Sequence, residues 1–255
     1  MQRTGTSTPL DFHHYFQPVY DLTEMRVIGF EALMRGRTNL PPSELMLKAK
    51  EQNRLIEVDA ESVEKAIATF FSAEDQLNGD ETLFVNVFPE TLGSKRFLDV
   101  MRTVRNRYGD RCRRVVFEIN ETVVQAGMWH TPEFATAIDR IRLYGFQLAM
   151  DDVGEGTTNF RKMIELAPDY FKLDKFFAGG ICRSERVRHF ISLLVDYCRG
   201  HTRLILEGIE NEEQCRTAME LGIASGQGYW LGKPAPLDNF LRISHKCERD
   251  EVHKE

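Results

Sequence analysis

The sequence contains no Cys-x-x-Cys pair, no uninterrupted apolar run long enough to span a bilayer, and no block of basic residues. Its five cysteines, at positions 112, 182, 198, 215 and 247, are odd in number and widely spaced. That excludes zinc-finger spacing and a disulfide framework, and Cys198 completes an apolar helical stripe that suits a reduced core thiol. The seven histidines, His13 and His14 among them, show no metal-ligand spacing, and solvent or core roles are expected for all of them. The N-terminal stretch lacks the apolar core of a signal peptide, so no membrane association is expected and the cytoplasm is the expected compartment. Acids outnumber bases, 39 against 33, for a net charge of -6. No nucleic-acid polymer is therefore expected as a partner, although a small anion is compatible, because local arginines or metals override a mild global field.

What the chain does have is length, apolar content and rhythm. With 255 residues and 42% hydrophobic content it can bury a large core, as one α/β barrel or as two small domains; it reads as one catalytic-sized domain. The polar residues 1–11 and the charged residues 246–255 read as tails, leaving a folded unit over 12–245. Tyr15 to Tyr20 and Arg26 to Leu33 are strand-like runs joined by so short a segment that they must pair antiparallel. Thereafter short apolar runs, at Thr82–Val87, Arg114–Ile119, Phe146–Met150, Tyr170–Leu173, Arg203–Glu207 and Ala224–Gln227, alternate with helical patterns. Val63, Ala66, Ile67, Phe70 and Phe71 share one helix face, as do Val187, Phe190, Ile191, Leu194, Val195 and Cys198. Thr131-Pro132-Glu133 carries the residues of a helix start.

Alternating strands and helices imply parallel pairing, in either an open doubly wound sheet or a closed barrel. Eight strands favour the barrel, and no G-x-G-x-x-G follows the first strand. Polar residues also punctuate nearly every strand end: Glu31, Asn86, Glu118, Asp151 with Asp152, Lys172, Glu207 and Gln227. A doubly wound sheet gathers its site at one switch point, whereas a barrel brings all strand C-termini to one mouth.

Such a mouth would hold five carboxylates and an amide, all hard oxygen ligands, which cannot share a dry pocket without cations. Oxygen ligation suits Mg²⁺ or Mn²⁺, two ions being the natural use of so many acids. Adjacent aspartates can both face the mouth only where the strand ends and bends, and Gly154 and Gly156 would permit the bend. Each residue also has a plainer reading. A lone acid at a strand end commonly caps a turn. Lys172 is either the site's cation or the ion-pair partner of Asp174, Asn86 a ligand or a turn cap before Pro89, and Gln227 a site residue or part of a Gly-Gln-Gly turn.

Several segments go further. Glu31-Ala32-Leu33 with Met34-Arg35, Phe84-Val85-Asn86-Val87, Phe117-Glu118-Ile119-Asn120-Glu121, Asp151-Asp152-Val153-Gly154-Glu155-Gly156, Phe171-Lys172-Leu173-Asp174, Leu206-Glu207-Gly208-Ile209-Glu210 and Gly226-Gln227-Gly228-Tyr229 occur in this order. Together they resemble the motifs of the EAL-domain cyclic di-GMP phosphodiesterases over nearly the whole folded unit. The resemblance implies a modified TIM (β/α)₈ barrel with one antiparallel strand, and hydrolysis of cyclic di-GMP to linear pGpG with two Mg²⁺ or Mn²⁺ ions. It assigns Glu31, Asn86, Glu118 and Asp151 to one metal, and Asp151, Asp152 and Glu207 to the other. Lys172 would orient the attacking water, with Glu207 also a candidate general base. Arg35 would grip a phosphate oxygen, Gln227 would order water or substrate, and Glu121 would tether the loop after Asp152. A homodimer is implied as well.

The family loop after the aspartates typically reads Phe-Gly-Thr-Gly-Tyr-Ser-Ser; here it is Val153-Gly154-Glu155-Gly156-Thr157-Thr158-Asn159. Phe88 and Asn120 stand where the family has serine and threonine. None of these departures removes an expected ligand. The altered loop motivates a second reading, a catalytically weak receptor that binds the dinucleotide and signals through conformation or partner contact. An unrelated TIM-barrel enzyme rests on fold analogy alone.

Overall fold

Two antiparallel strands open the fold, β1 (Phe12–Asp21) and β2 (Arg26–Gly36). In the computed structural model, which describes residues 11–36, 41–120, 131–154 and 160–241, their turn is closed by Asp21, whose Oδ1 accepts the backbone N–H groups of Thr23 and Glu24 at 2.8 and 3.0 Å. A bulge between Val19 and Tyr20 offsets the pairing and adds local twist, which helps a sheet curl towards closure. The helices α1 (Pro42–Glu51) and α2 (Leu55–Ser72) lead to β3 (Thr82–Asn86). After it come α3 (Pro89–Leu92), α4 (Lys95–Tyr108), β4 (Val115–Asn120), α5 (Pro132–Leu143) and β5 (Gln147–Val153). The remainder runs α6 (Phe160–Leu166), β6 (Tyr170–Leu173), α7 (Lys175–Ile181), α8 (Glu185–Cys198), β7 (Arg203–Leu206), α9 (Glu212–Glu220) and β8 (Ser225–Gly226).

The strands close in sequence order into an eight-stranded barrel, with β2 to β8 parallel and β1 antiparallel to both of its neighbours. This is the expected modified (β/α)₈ barrel. The helix starts follow the expected chemistry: Thr131 caps α5 by accepting the N–H of Phe134, and Ser184 caps α8 by accepting that of Val187. The stripe on α2 buries Val63, Ala66, Ile67, Phe70 and Phe71 against the outside of the sheet, and Cys198 of α8 is buried as a free thiol. No helix among the described residues is long and apolar enough to cross a membrane. The two tails, 1–11 and 246–255, fall outside the described residues except for Asp11.

Inside the barrel the two-residue period of the strands sorts the side chains into layers. Val19, Phe84, Val116, Ala149, Tyr170 and Ile205 pack together as an apolar floor, with Phe84 edge-on to Tyr170 at 5.0 Å between ring centres. Two residues further along β3 to β7 come Asn86, Glu118, Asp151, Lys172 and Glu207. The same step leads from Gly29 to Glu31 and from Ser225 to Gln227. In β1, which runs the other way, it leads back from Val19 to Gln17.

Candidate active site

The polar layer is organised around Lys172, whose side chain is 1% exposed. Its Nζ lies 2.7 Å from Glu118 Oε1, 2.8 Å from Glu207 Oε1, 3.1 Å from Asp151 Oδ1 and 3.3 Å from Glu31 Oε2. Asp174 takes no part in this cluster. It accepts the N–H of Phe176 at 2.8 Å and caps α7, so the reading of Lys172 as its ion-pair partner gives way to the site reading. A helix N-terminus starting directly after β6 uses the carboxylate as a cap.

Asn86 likewise is no turn cap. Its amide donates to Glu31 Oε1 at 3.2 Å and to Glu118 Oε2 at 3.0 Å, tying β2, β3 and β4 together at the mouth. The turn behind it is held from the helix layer, where buried Asp59 of α2 accepts the N–H of Phe88 at 2.9 Å. Burial pushes the Asp59 carboxyl up to about 6. Gln227 donates to Glu31 Oε2 at 2.8 Å, and its position depends on Gly228, where a Cβ would sit 2.1 Å from the Ile209 carbonyl oxygen. Backbone that close leaves room only for glycine.

Asp151 and Asp152 both turn towards the mouth because β5 bulges there. Its pairing with β6 shifts register between Met150 and Val153, and Asp152 adopts a left-handed φ of 55°. The expectation put the bend at the glycines after the pair; it begins at Asp152 itself. Gly154 then follows with φ 105° against the ring of Phe177. One oxygen each of Asp151, Asp152 and Glu207 lie within 4.8 Å of one another, and the amide of Asn120 donates to Asp152 Oδ2.

Arg35, four residues beyond Glu31 on the same face of β2, stands above this layer. Its guanidinium donates to the Met34 carbonyl at 2.8 Å and lies 5.6 Å from the centre of the Tyr15 ring, apart from the carboxylates. Glu121 lies outside the described residues, as do residues 155–159 of the loop. Strand-end reasoning missed Gln17, which pairs opposite Glu31 and donates to the Gly232 carbonyl at 3.1 Å. The signal was available: in a first strand that runs antiparallel, the mouth end is its beginning.

Five carboxylates face one ammonium, and the imbalance shows in their protonation. Burial pushes Glu207 up to about 8 and Asp151 to about 6, and raises Glu118 well above the usual carboxylate range; Lys172 opposes each shift while neighbouring acids reinforce it. Burial alone would lower Lys172, but Asp151, Glu118, Glu207 and Glu31 together hold it well above its ordinary value. The acids, in other words, call for more positive charge than one lysine supplies.

The oxygens that remain fit a divalent cation. Among the described residues, Glu118 Oε1, Asp151 Oδ1 and Gln227 Oε1 are buried without an aligned hydrogen-bond donor, and the two carboxylate oxygens have the ionic contact of Lys172 alone. A donor set of carboxylate and amide oxygens, free of sulfur and imidazole, matches hard metal ions.

The sequence model of the EAL domain matches residues 8–234. The chain belongs to this family. Among curated EAL-domain relatives, it is 28% identical over 229 residues to the probable cyclic di-GMP phosphodiesterase PdeI of Escherichia coli K12, covering 87% of this chain and 29% of that protein. With the cyclic di-GMP phosphodiesterase RocR of Pseudomonas aeruginosa it shares 29% identity over 239 residues, 91% of this chain and 59% of that protein. The chain thus spans less than two thirds of either relative. Of solved structures, the EAL enzyme Bd1971 in its cAMP and cyclic di-GMP bound form superimposes with a TM-score of 0.81 at 21% identity, over 91% of this chain and 64% of that one. Klebsiella pneumoniae BlrP1, in a manganese and cyclic di-GMP complex, gives 0.78 at 24% identity over 92% and 57%. At these identities the structural likeness establishes the shared EAL barrel.

Proposed function

We propose that this EAL domain is a metal-dependent phosphodiesterase that opens cyclic di-GMP to linear pGpG, acting in the cytoplasm and as a homodimer. The observation that carries the reading is the polar layer itself: Lys172 within 3.3 Å of four carboxylates, beside the Asp151, Asp152 and Glu207 oxygens. An acid-rich layer on an apolar floor is costly for stability and finds its use in holding cations against a phosphodiester. The naming of relatives as cyclic di-GMP phosphodiesterases supports that substrate.

Glu31, Asn86, Glu118 and Asp151 would hold one Mg²⁺ or Mn²⁺, and Asp151, Asp152 and Glu207 the other. When bound, the two ions supply Lewis-acid polarisation of the phosphate and a lowered pKa for water. The protein's own residues do the rest. Lys172, kept cationic by its neighbours, orients the attacking water and offsets charge growing on the phosphoryl oxygens. Arg35, above the layer with its guanidinium at the rim, binds a phosphate oxygen of the incoming dinucleotide. Gln227 keeps Glu31 in place and leaves its Oε1 towards water or substrate. Tyr229 and Trp230, 63% and 41% exposed within three residues of Gln227, offer aromatic faces for stacking a base.

Incubating the purified protein with cyclic di-GMP and Mn²⁺ or Mg²⁺, and separating products by chromatography, tests this reading. Accumulation of pGpG that stops with EDTA is expected. Tight dinucleotide binding without product at any metal concentration would instead identify a receptor.

A further inference from the structure

We infer that Asn120 is a positioning residue that fixes the Asp152 carboxylate for its cation, a role that rests on the metal-dependent reading above. Asn120 ends β4 and pairs in register with Asp151 of β5. Asp152 is the residue of the pair that breaks the strand's alternation. With its backbone at φ 55° in the bulge, its side chain is not aimed by the pleat and needs an external hold to point in one direction.

The Asn120 amide supplies that hold by donating to Asp152 Oδ2. A carboxylate only accepts, so the amide must present its NH₂ there. The amide thus holds one oxygen of the carboxylate that also offers a ligand atom to the cluster with Asp151 and Glu207. Two properties make asparagine suited to the task. Its donor sits one atom further from the backbone than a threonine hydroxyl, enough to reach around the bulge, and it adds no charge to a cluster already rich in acid. Partners in the shell behind a ligand change metal affinity about 10–100-fold when removed.

Mn²⁺ binding to the whole chain, followed by calorimetry and by the electron paramagnetic resonance signal of free Mn²⁺, separates this role from a structural one. Wild type should bind two ions. Asn120→Ala should weaken one of them about 10–100-fold and leave the other within about twofold. The thermal midpoint of its metal-free form should stay close to wild type. Asn120→Thr should weaken the same ion by less than the alanine variant does, and it carries the test should Asn120→Ala not fold. Unchanged affinity for both ions in a folded variant overturns the inference alone. Wild-type protein that binds no Mn²⁺ at millimolar concentration overturns the metal-dependent reading, and this inference with it.

Discussion

Raising the pH from 6.5 to 8 without divalent cations should destabilise the barrel. Glu207 is pushed by burial to about 8 in the folded protein, from an ordinary 4.5. The folded state therefore keeps a proton that the unfolded chain has already released, and stability falls as pH climbs between those two values. Across 6.5 to 8 this one group removes about 1.5–2 kcal/mol. Glu118, raised for the same reason, acts in the same direction. Lys172 is raised above its ordinary 10.5, so it is protonated in both states and adds no slope. Asp59 and Asp151, both about 6, have largely titrated by the start of the window. His14, lowered by burial to about 4, offsets about 0.4 kcal/mol as the unfolded imidazole loses its proton. For a chain of this size about 2–4 °C accompanies each kcal/mol, so a fall of roughly 3–8 °C from Glu207 alone is expected. Thermal unfolding by circular dichroism in EDTA measures it. With Mn²⁺ the fall should disappear, because cations keep the carboxylates ionised in the folded state as they are in the unfolded chain; an ion at 100 times its Kd adds about 2.7 kcal/mol. A midpoint in EDTA that stays level or rises from pH 6.5 to 8 would refute the account of the polar layer.

Other perturbations separate the roles within that layer. Glu31→Ala removes an acid contacted by Asn86, Gln227 and Lys172, and pGpG formation should fall at least about 100-fold; retention of most activity would show that Glu31 holds no metal. Lys172→Met should lower kcat about 100-fold or more while cyclic di-GMP affinity in Ca²⁺ changes little, a split that equilibrium binding beside turnover resolves. Gly228→Ala places a methyl 2.1 Å from the Ile209 carbonyl oxygen and should cost about 1–3 kcal/mol in chemical denaturation. Asp174→Ala, by contrast, removes only the cap of α7; about 1 kcal/mol of stability should go, with turnover within a few-fold of wild type.

Much of this architecture can be read from the chain because period and punctuation coincide. Short apolar runs buried on both faces, each ending in a polar residue, are what a parallel barrel requires, and the hairpin spacing at the start identifies the antiparallel strand. The harder positions are those where local pattern and tertiary geometry part company. Asp174 has the two-residue spacing of an ion-pair partner for Lys172, but an adjoining helix start claims its carboxylate. The pleat would send Asp151 and Asp152 to opposite faces, and only the bulge at Asp152 brings them together. Gln17 escapes notice because its strand runs backwards relative to the other seven. Asn120 looks like a departure from the family pattern until its amide is seen on Asp152.

The reversed first strand has one more consequence. In an all-parallel (β/α)₈ barrel the chain enters from the face opposite the catalytic one, so a module attached upstream hangs at the back. Here β1 enters at Phe12, beside the Gly36 end of β2, on the same rim as Arg35. Anything joined ahead of Phe12 is thus tethered at the mouth that holds the polar layer, not at the back of the barrel.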